Sequence, residues 1–159
     1  MINRKNPNHI SSINMKKRIQ KGISFHQKGE LQQAEQAYQQ VLQYHPQNAD
    51  AYHLLGVIAY QVGKHNVAID LINQAIGIDN RKPTFFGNLG NILQEQGRLE
   101  EAIQTYRSAI EINPENEDIQ NDLGNTLTEQ GHFQQAIHAY HKVIEINPNN
   151  PNAYYNLGN

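Results

Sequence analysis

The sequence predicts an all-α protein built from stacked helical hairpins, and three observations carry the prediction. The first is a period. Gly22, Gly56, Gly90, Gly124 and Gly158 stand 34 residues apart, as do Gly29, Gly63, Gly97 and Gly131, and as do Ala34, Ala68, Ala102 and Ala136. Three ladders with one spacing identify an internal repeat. The second is a three- and four-residue recurrence of apolar positions inside each repeat, seen in Phe86, Leu89, Leu93 and again in Ala102, Ile103, Tyr106, Ala109, Ile110. That spacing puts an apolar stripe on one side of a helix. The third is punctuation: a glycine between the two stripes of each repeat and a proline after the second, at Pro46, Pro114 and Pro148. Glycine takes the left-handed conformation that ends a helix, and proline cannot continue one.

These signals divide the chain into a polar, basic tail at 1–14, units 15–48, 49–82, 83–116 and 117–150, and a partial fifth unit at 151–159. Helices are expected near 51–62, 66–79, 84–96, 100–112, 118–130 and 134–146, with Met1–Ile10 poorly ordered. The second unit has Asn80 where the others have proline and defers its own to Pro83, so its turn is expected to be looser. The glycines inside the first helices (Gly90 and its counterparts) cost about 1 kcal/mol each relative to Ala. Close approach of the paired helix is the physical reason to keep them. A hairpin alone leaves one apolar face uncovered, so the units must stack.

Composition narrows the function. The chain has 159 residues, 38% of them hydrophobic, no cysteine and a mean hydropathy of −0.72. The missing cysteines exclude disulfides, thiolate metal sites and cysteine nucleophiles, and fit a cytoplasmic protein. No apolar run reaches the ~18–20 residues of a membrane span, and no apolar segment follows Arg4 and Lys5 as in a secretory signal. The net charge of −2 conceals seven basic residues and no acid between Met1 and Gly29. That end lacks the interleaved aromatic residues of a nucleic-acid stacking platform, and reads as a solvated terminus. No phosphate loop, catalytic triad order or convergent carboxylate pair is readable, so neither an enzyme nor a cofactor is expected. His138 and His141 lie three apart on a second helix and read as surface histidines, not as metal ligands.

What remains is a binding surface. Asn88, Asn91 and Glu95 fall at i, i+3 and i+7 on one face of a first helix, and Asp122, Asn125 and Glu129 repeat them one unit on. Asn156 and Asn159 begin a third row. Asparagine is a poor helix former, yet its amide both donates and accepts and can pair with the backbone of an extended peptide of any sequence. The alternative is that these amides bond to a neighbouring helix. On the first reading, replacing them by Ala leaves stability equal or higher. In the N-terminal half, His53, Val57, Tyr60 and Gln61, with Ile19, Ile23 and His26 before them, form either an apolar-aromatic groove or packing between units. A further site of contact is expected at the C-terminal end. There Ile137, Tyr140, Val143 and Ile144 have only Asn152–Asn159 to cover them, so the chain is expected to fray after Asn147 or to bury the patch against a second copy.

The motif Tyr52–Leu55–Gly56, Phe86–Leu89–Gly90–Leu93–Ala102–Tyr106–Pro114 and Leu123–Gly124–Leu127–Ala136–Tyr140–Pro148 resembles the tetratricopeptide repeat family. The match departs at Gln120, where the family has a large residue, and at Arg18 and Lys21 of the first unit. The resemblance implies a right-handed α-α superhelix whose first helices line a concave face, and a protein or peptide partner. Units two to four carry no Lys or Arg on their first helices, so a clamp for terminal carboxylates is not implied. The strings Asn-Leu-Gly-Asn at 88–91 and 156–159 and Asp-Leu-Gly-Asn at 122–125 are similar to the repeats of O-linked N-acetylglucosamine transferases. That likeness implies that Asn88, Asp122 and Asn156 hold a substrate backbone. It also opens a second functional reading, the substrate-recruiting arm of a larger glycosyltransferase.

Overall fold

In a computed structural model the described residues are 12–158, and the expectation for Met1–Ile10 lies outside them. Within that span the chain is all helical, and the fold class agrees with expectation. It divides into two compact units, one ending at Ile78 and the other beginning at Asp79. The N-terminal unit holds α1 (Ser12–Gln27), α2 (Leu31–Tyr44), α3 (Ala49–Gln61) and α4 (His65–Ile78). The C-terminal unit holds α5 (Pro83–Glu95), α6 (Leu99–Ile112), α7 (Glu117–Glu129), α8 (Phe133–Ile146) and α9 (Pro151–Leu157). The helix bounds lie within two residues of those expected from sequence.

Local chemistry sets these boundaries. Gly29, Gly63, Gly97 and Gly131 have φ of 76°, 76°, 70° and 83°, the left-handed turn that stops each first helix. The first helix of a following repeat is started by an asparagine cap: Asn48 Oδ1 accepts from Ala51 N–H at 2.8 Å and Asn116 Oδ1 from Ile119 N–H at 3.1 Å. Asn150 does the same for Asn152 and Ala153, with Pro151 in the first turn. The turn at Asn80 is as long as the others, spanning the same interval between helices. Asp79 Oδ1 ties it by accepting from the Arg81 backbone at 3.2 Å and from its guanidinium at 3.1 Å. That bond replaces the constraint expected from proline and holds the Asp79 carboxyl below its ordinary range.

Each unit has its own core. In the first, Ala34, Tyr38, Val41, Ala51, Leu55 and Ile58 cluster, and Ile19 and Ile23 pack against them. In the second, Phe85, Ile92, Ile103, Tyr106, Leu127 and Val143 are almost fully buried. Burying each side chain of this size is worth roughly 1.5–3 kcal/mol. The internal glycines are where the helices of a hairpin meet. A Cβ on Gly90 would stand 2.5 Å from Tyr106 Cε1, and one on Gly124 would stand 2.5 Å from Tyr140 Cε1. The glycine ladder is therefore a seat for the tyrosine ring of the partner helix.

Candidate peptide-binding face

The tyrosines seated on those glycines point their hydroxyls at the polar stripe of the first helices. Tyr106 OH donates to Asn91 Oδ1 at 2.6 Å and lies 3.3 Å from Gln94 Oε1. Tyr140 OH donates to Asn125 Oδ1 at 2.9 Å, with Thr128 Oγ1 at 3.2 Å. Both tyrosines are buried, so each hydroxyl needs an acceptor. The sequence answers this requirement repeat by repeat, at a fixed offset of 15 residues. Tyr106 and Tyr140 pair with Asn91 and Asn125, whereas Ile72 pairs with Val57. Tyr38 breaks the rule because Ile23 stands opposite, and its buried hydroxyl has no partner among the described residues. Burial without compensation pushes the Tyr38 phenol up to about 12.

The asparagine stripe is thus two rows with different work. Asn91 and Asn125 use their amide oxygens inside the fold. That bonding favours the alternative reading, in which the amides serve a neighbouring helix, because replacing either by Ala would leave its tyrosine hydroxyl only the longer contact, to Gln94 Oε1 at 3.3 Å or to Thr128 Oγ1 at 3.2 Å. The row of Asn88, Asp122 and Asn156 is half-buried one turn earlier. Asn156 Nδ2 bridges back to Asn125 Oδ1 at 3.0 Å and Asn121 Oδ1 at 3.3 Å, joining α9 to α7. At the other edge Gln94 Nε2 donates to Glu129 Oε2 at 3.2 Å, joining α5 to α7. Glu95 and Glu129 are exposed beside this link. The first helices of the C-terminal unit therefore present one continuous polar surface, acidic and without Lys or Arg. Asp122 sits in it with its pKa raised, first by desolvation and then by the neighbouring charge of Asp118.

In the N-terminal unit the corresponding residues turn mostly into packing. Ile19 and Ile23 serve the core. Val57 and His53 are half-buried, and Tyr60 meets His65 edge-on with ring centroids 5.6 Å apart. His26 Nε2 and Gln61 Oε1 are bonded at 2.7 Å. Asn159 lies outside the described residues. At the C-terminal end α9 forms through Leu157, contrary to fraying after Asn147. Of the expected patch, Tyr140 and Val143 are covered, 3% and 0% exposed, and Ile144 is half-buried, whereas Ile137 stays open as expected. Phe133, Tyr154 and Tyr155 are also open, on α8 and α9. Among the described residues no three His, Asp or Glu side chains gather as a metal site, and no helix is long and apolar enough to cross a membrane.

Helical hairpins of one length, seated glycine on tyrosine and stacked with a polar face left open, define a repeat protein of the interaction-module class. A TPR repeat model matches residues 22–63, 90–131 and 124–159, and a tetratricopeptide repeat model matches 49–82. The chain belongs to the tetratricopeptide repeat family. Among solved structures it is similar to MamA, at 28% identity and a TM-score of 0.79, covering 86% of this chain and 80% of that one. It is also similar to pilF of Pseudomonas aeruginosa, at 27% identity and a TM-score of 0.82, covering 90% of this chain and 65% of that one. YrrB, described as a TPR protein with an unusual peptide-binding site, is 20% identical with a TM-score of 0.74 over 84% of this chain and 69% of that one. That likeness is one of fold. No curated protein matches the chain.

Proposed function

We propose that this chain is a non-catalytic scaffold that binds an extended segment of a partner protein along the first helices of its C-terminal unit. The observation that carries the reading is the division of labour in the stripe. Tyr106 and Tyr140 hold the carbonyl ends of Asn91 and Asn125, so their amide N–H groups are the ends turned away from the core. The outer row of Asn88, Glu95, Asp122, Glu129 and Asn156 supplies further donors and acceptors at repeat spacing. Such a face pairs with peptide backbone and favours segments without excess negative charge. In the N-terminal unit, taken by itself, His53, Val57 and Tyr60 are proposed as a separate set of partner contacts. The family supports a protein partner; a cytoplasmic location and the absence of a cofactor, metal, nucleic-acid or membrane partner belong to the proposal alone.

The test uses a peptide selected from a random library on the intact chain. Asn88→Ala and Glu129→Ala each remove an outer group and should weaken binding about 2- to 10-fold, as one lost hydrogen bond does, with the helical fold retained by circular dichroism. Unchanged affinity in both would remove the first helices from the site. The glycosyltransferase-arm reading rests on the Asn-Leu-Gly-Asn strings alone. It predicts that the selected peptides contain the Ser or Thr such enzymes modify. Self-association is proposed through Phe133, Ile137, Tyr154 and Tyr155, the exposed apolar residues of α8 and α9. A concentration-dependent mass in light scattering, abolished by Tyr155→Ser, is the expected result.

A further inference from the structure

Position 120 breaks the repeat in a way that leaves a hole. Its counterparts at 34-residue spacing are Arg18, Tyr52, Phe86 and Tyr154, so within the C-terminal unit Gln120 alone lacks a ring. Tyr154 shows what the polar end of this position does: its hydroxyl donates to the Pro148 carbonyl at 3.1 Å. Gln120 Nε2 donates to the equivalent Pro114 carbonyl at 3.3 Å. The glutamine therefore keeps the tyrosine's hydrogen bond and omits the tyrosine's bulk. The space lies beside a recess of about 790 Å³ between α6, α7 and α8, walled by Ile110, Leu123 and Ile146 with Gln120 among its lining. That is within the range of ligand sites. Gln120 is 6% exposed, and its Oε1 has no bonded partner among the described residues.

From this we infer that the recess is a second binding site, distinct from the first-helix face, and that it receives a tyrosine side chain from a partner polypeptide. The ring takes the apolar walls that the repeat's own aromatic residue would otherwise cover. The phenol O–H donates to Gln120 Oε1, the acceptor end of an amide whose Nε2 is already held by the Pro114 carbonyl. The rim adds charge complementarity. Arg107, Glu111 and Glu115 follow one another at four-residue steps along α6 and its exit. Arg107 donates to the neutral Gln135 at 2.8 Å, so its charge is not cancelled there. A segment carrying an acid and a base on either side of its tyrosine matches a rim of both signs.

The experiment is an amide NMR titration of the intact chain with acetyl-Glu-Tyr-Lys-amide and acetyl-Lys-Tyr-Glu-amide, with the two leucine-for-tyrosine peptides as controls. At least one tyrosine peptide should give saturable shifts at the Gln120 side-chain amide, Leu123 and Ile146, and the leucine peptides should bind at least ten-fold more weakly. Gln120→Phe fills the recess and should abolish the shifts while raising the melting temperature. Gln120→Ala keeps the space and should retain ring binding with a weaker affinity. If Gln120→Phe does not fold, Ile146→Phe fills the same space from α8 and must have the same effect on binding. No saturable shift in the parent, equal binding of leucine and tyrosine peptides, or equal behaviour of the filled and Ala variants would overturn the inference.

Discussion

Asn125→Ala separates a structural amide from a purely binding one. Asn125 Oδ1 accepts from Tyr140 OH at 2.9 Å and from Asn156 Nδ2 at 3.0 Å. Removing it leaves the hydroxyl, on a side chain that is 3% exposed, with only the longer contact to Thr128 Oγ1 at 3.2 Å. Losing the shorter bond costs about 0.5–1.5 kcal/mol. Asn156 keeps Asn121 as a partner at 3.3 Å, so the second lost bond adds little. Against this, Ala in place of Asn in a helix recovers up to ~0.7 kcal/mol. The net expectation is a loss of about 0.5–1 kcal/mol. Urea denaturation followed by helicity measures it, in a cycle with Tyr140→Phe. The double variant should recover part of the loss, with a coupling energy of about 1 kcal/mol. Asn125→Ala as stable as the parent, or additive with Tyr140→Phe, would refute the tyrosine–asparagine pairing.

The remaining predictions rest on other contacts. Tyr38→Phe should hold or raise stability because its buried hydroxyl has no partner among the described residues, whereas Tyr106→Phe should lower it by about 0.5–1.5 kcal/mol; in thermal melts only the second should fall below the parent. Gly90→Leu drives a side chain into the Tyr106 ring and should destabilise by more than the ~1–3 kcal/mol of ordinary overpacking. Gly77→Ala, with nothing within 4 Å of a new Cβ, should stabilise by about 1 kcal/mol. Asp122 has its folded pKa raised by desolvation and Asp118, so its protonation favours the folded state. Its contribution is present below the unfolded carboxylate pKa and is lost as pH rises through the folded one. Asp122→Asn should therefore be more stable than the parent at pH 7, and the difference should shrink as pH falls into the carboxylate range.

The hairpins were legible because glycine, proline and apolar spacing act locally, and their ladder at 34 residues repeats the same instruction. Even the seat of Tyr106 on Gly90 follows from the need to justify a glycine inside a helix. The polar stripe was legible as a set of positions but not as two rows. Telling Asn91 from Asn88 depends on which amide a tyrosine 15 residues away can reach. The signal existed in the sequence, in Tyr with Asn at one pair of positions and Ile with Val at another. The C-terminal surface was legible only in part: Ile137 remains open as expected, but Val143 and Tyr140 turn inward and Phe133 is open as well. Gln120 was visible as a departure from the motif. Its consequence was not, since a recess is volume left by a missing ring and depends on three helices at once.

Peptide binding along the first helices is tested most directly by mapping where a library-selected peptide perturbs the backbone amides of the intact chain. The perturbed residues should follow Asn88, Asn91 and Glu95 on α5 and Asp122, Asn125 and Glu129 on α7, and Asn88→Ala should weaken them together. A footprint confined to the exposed positions of α6 and α8, such as Gln104 and Gln134, would contradict it.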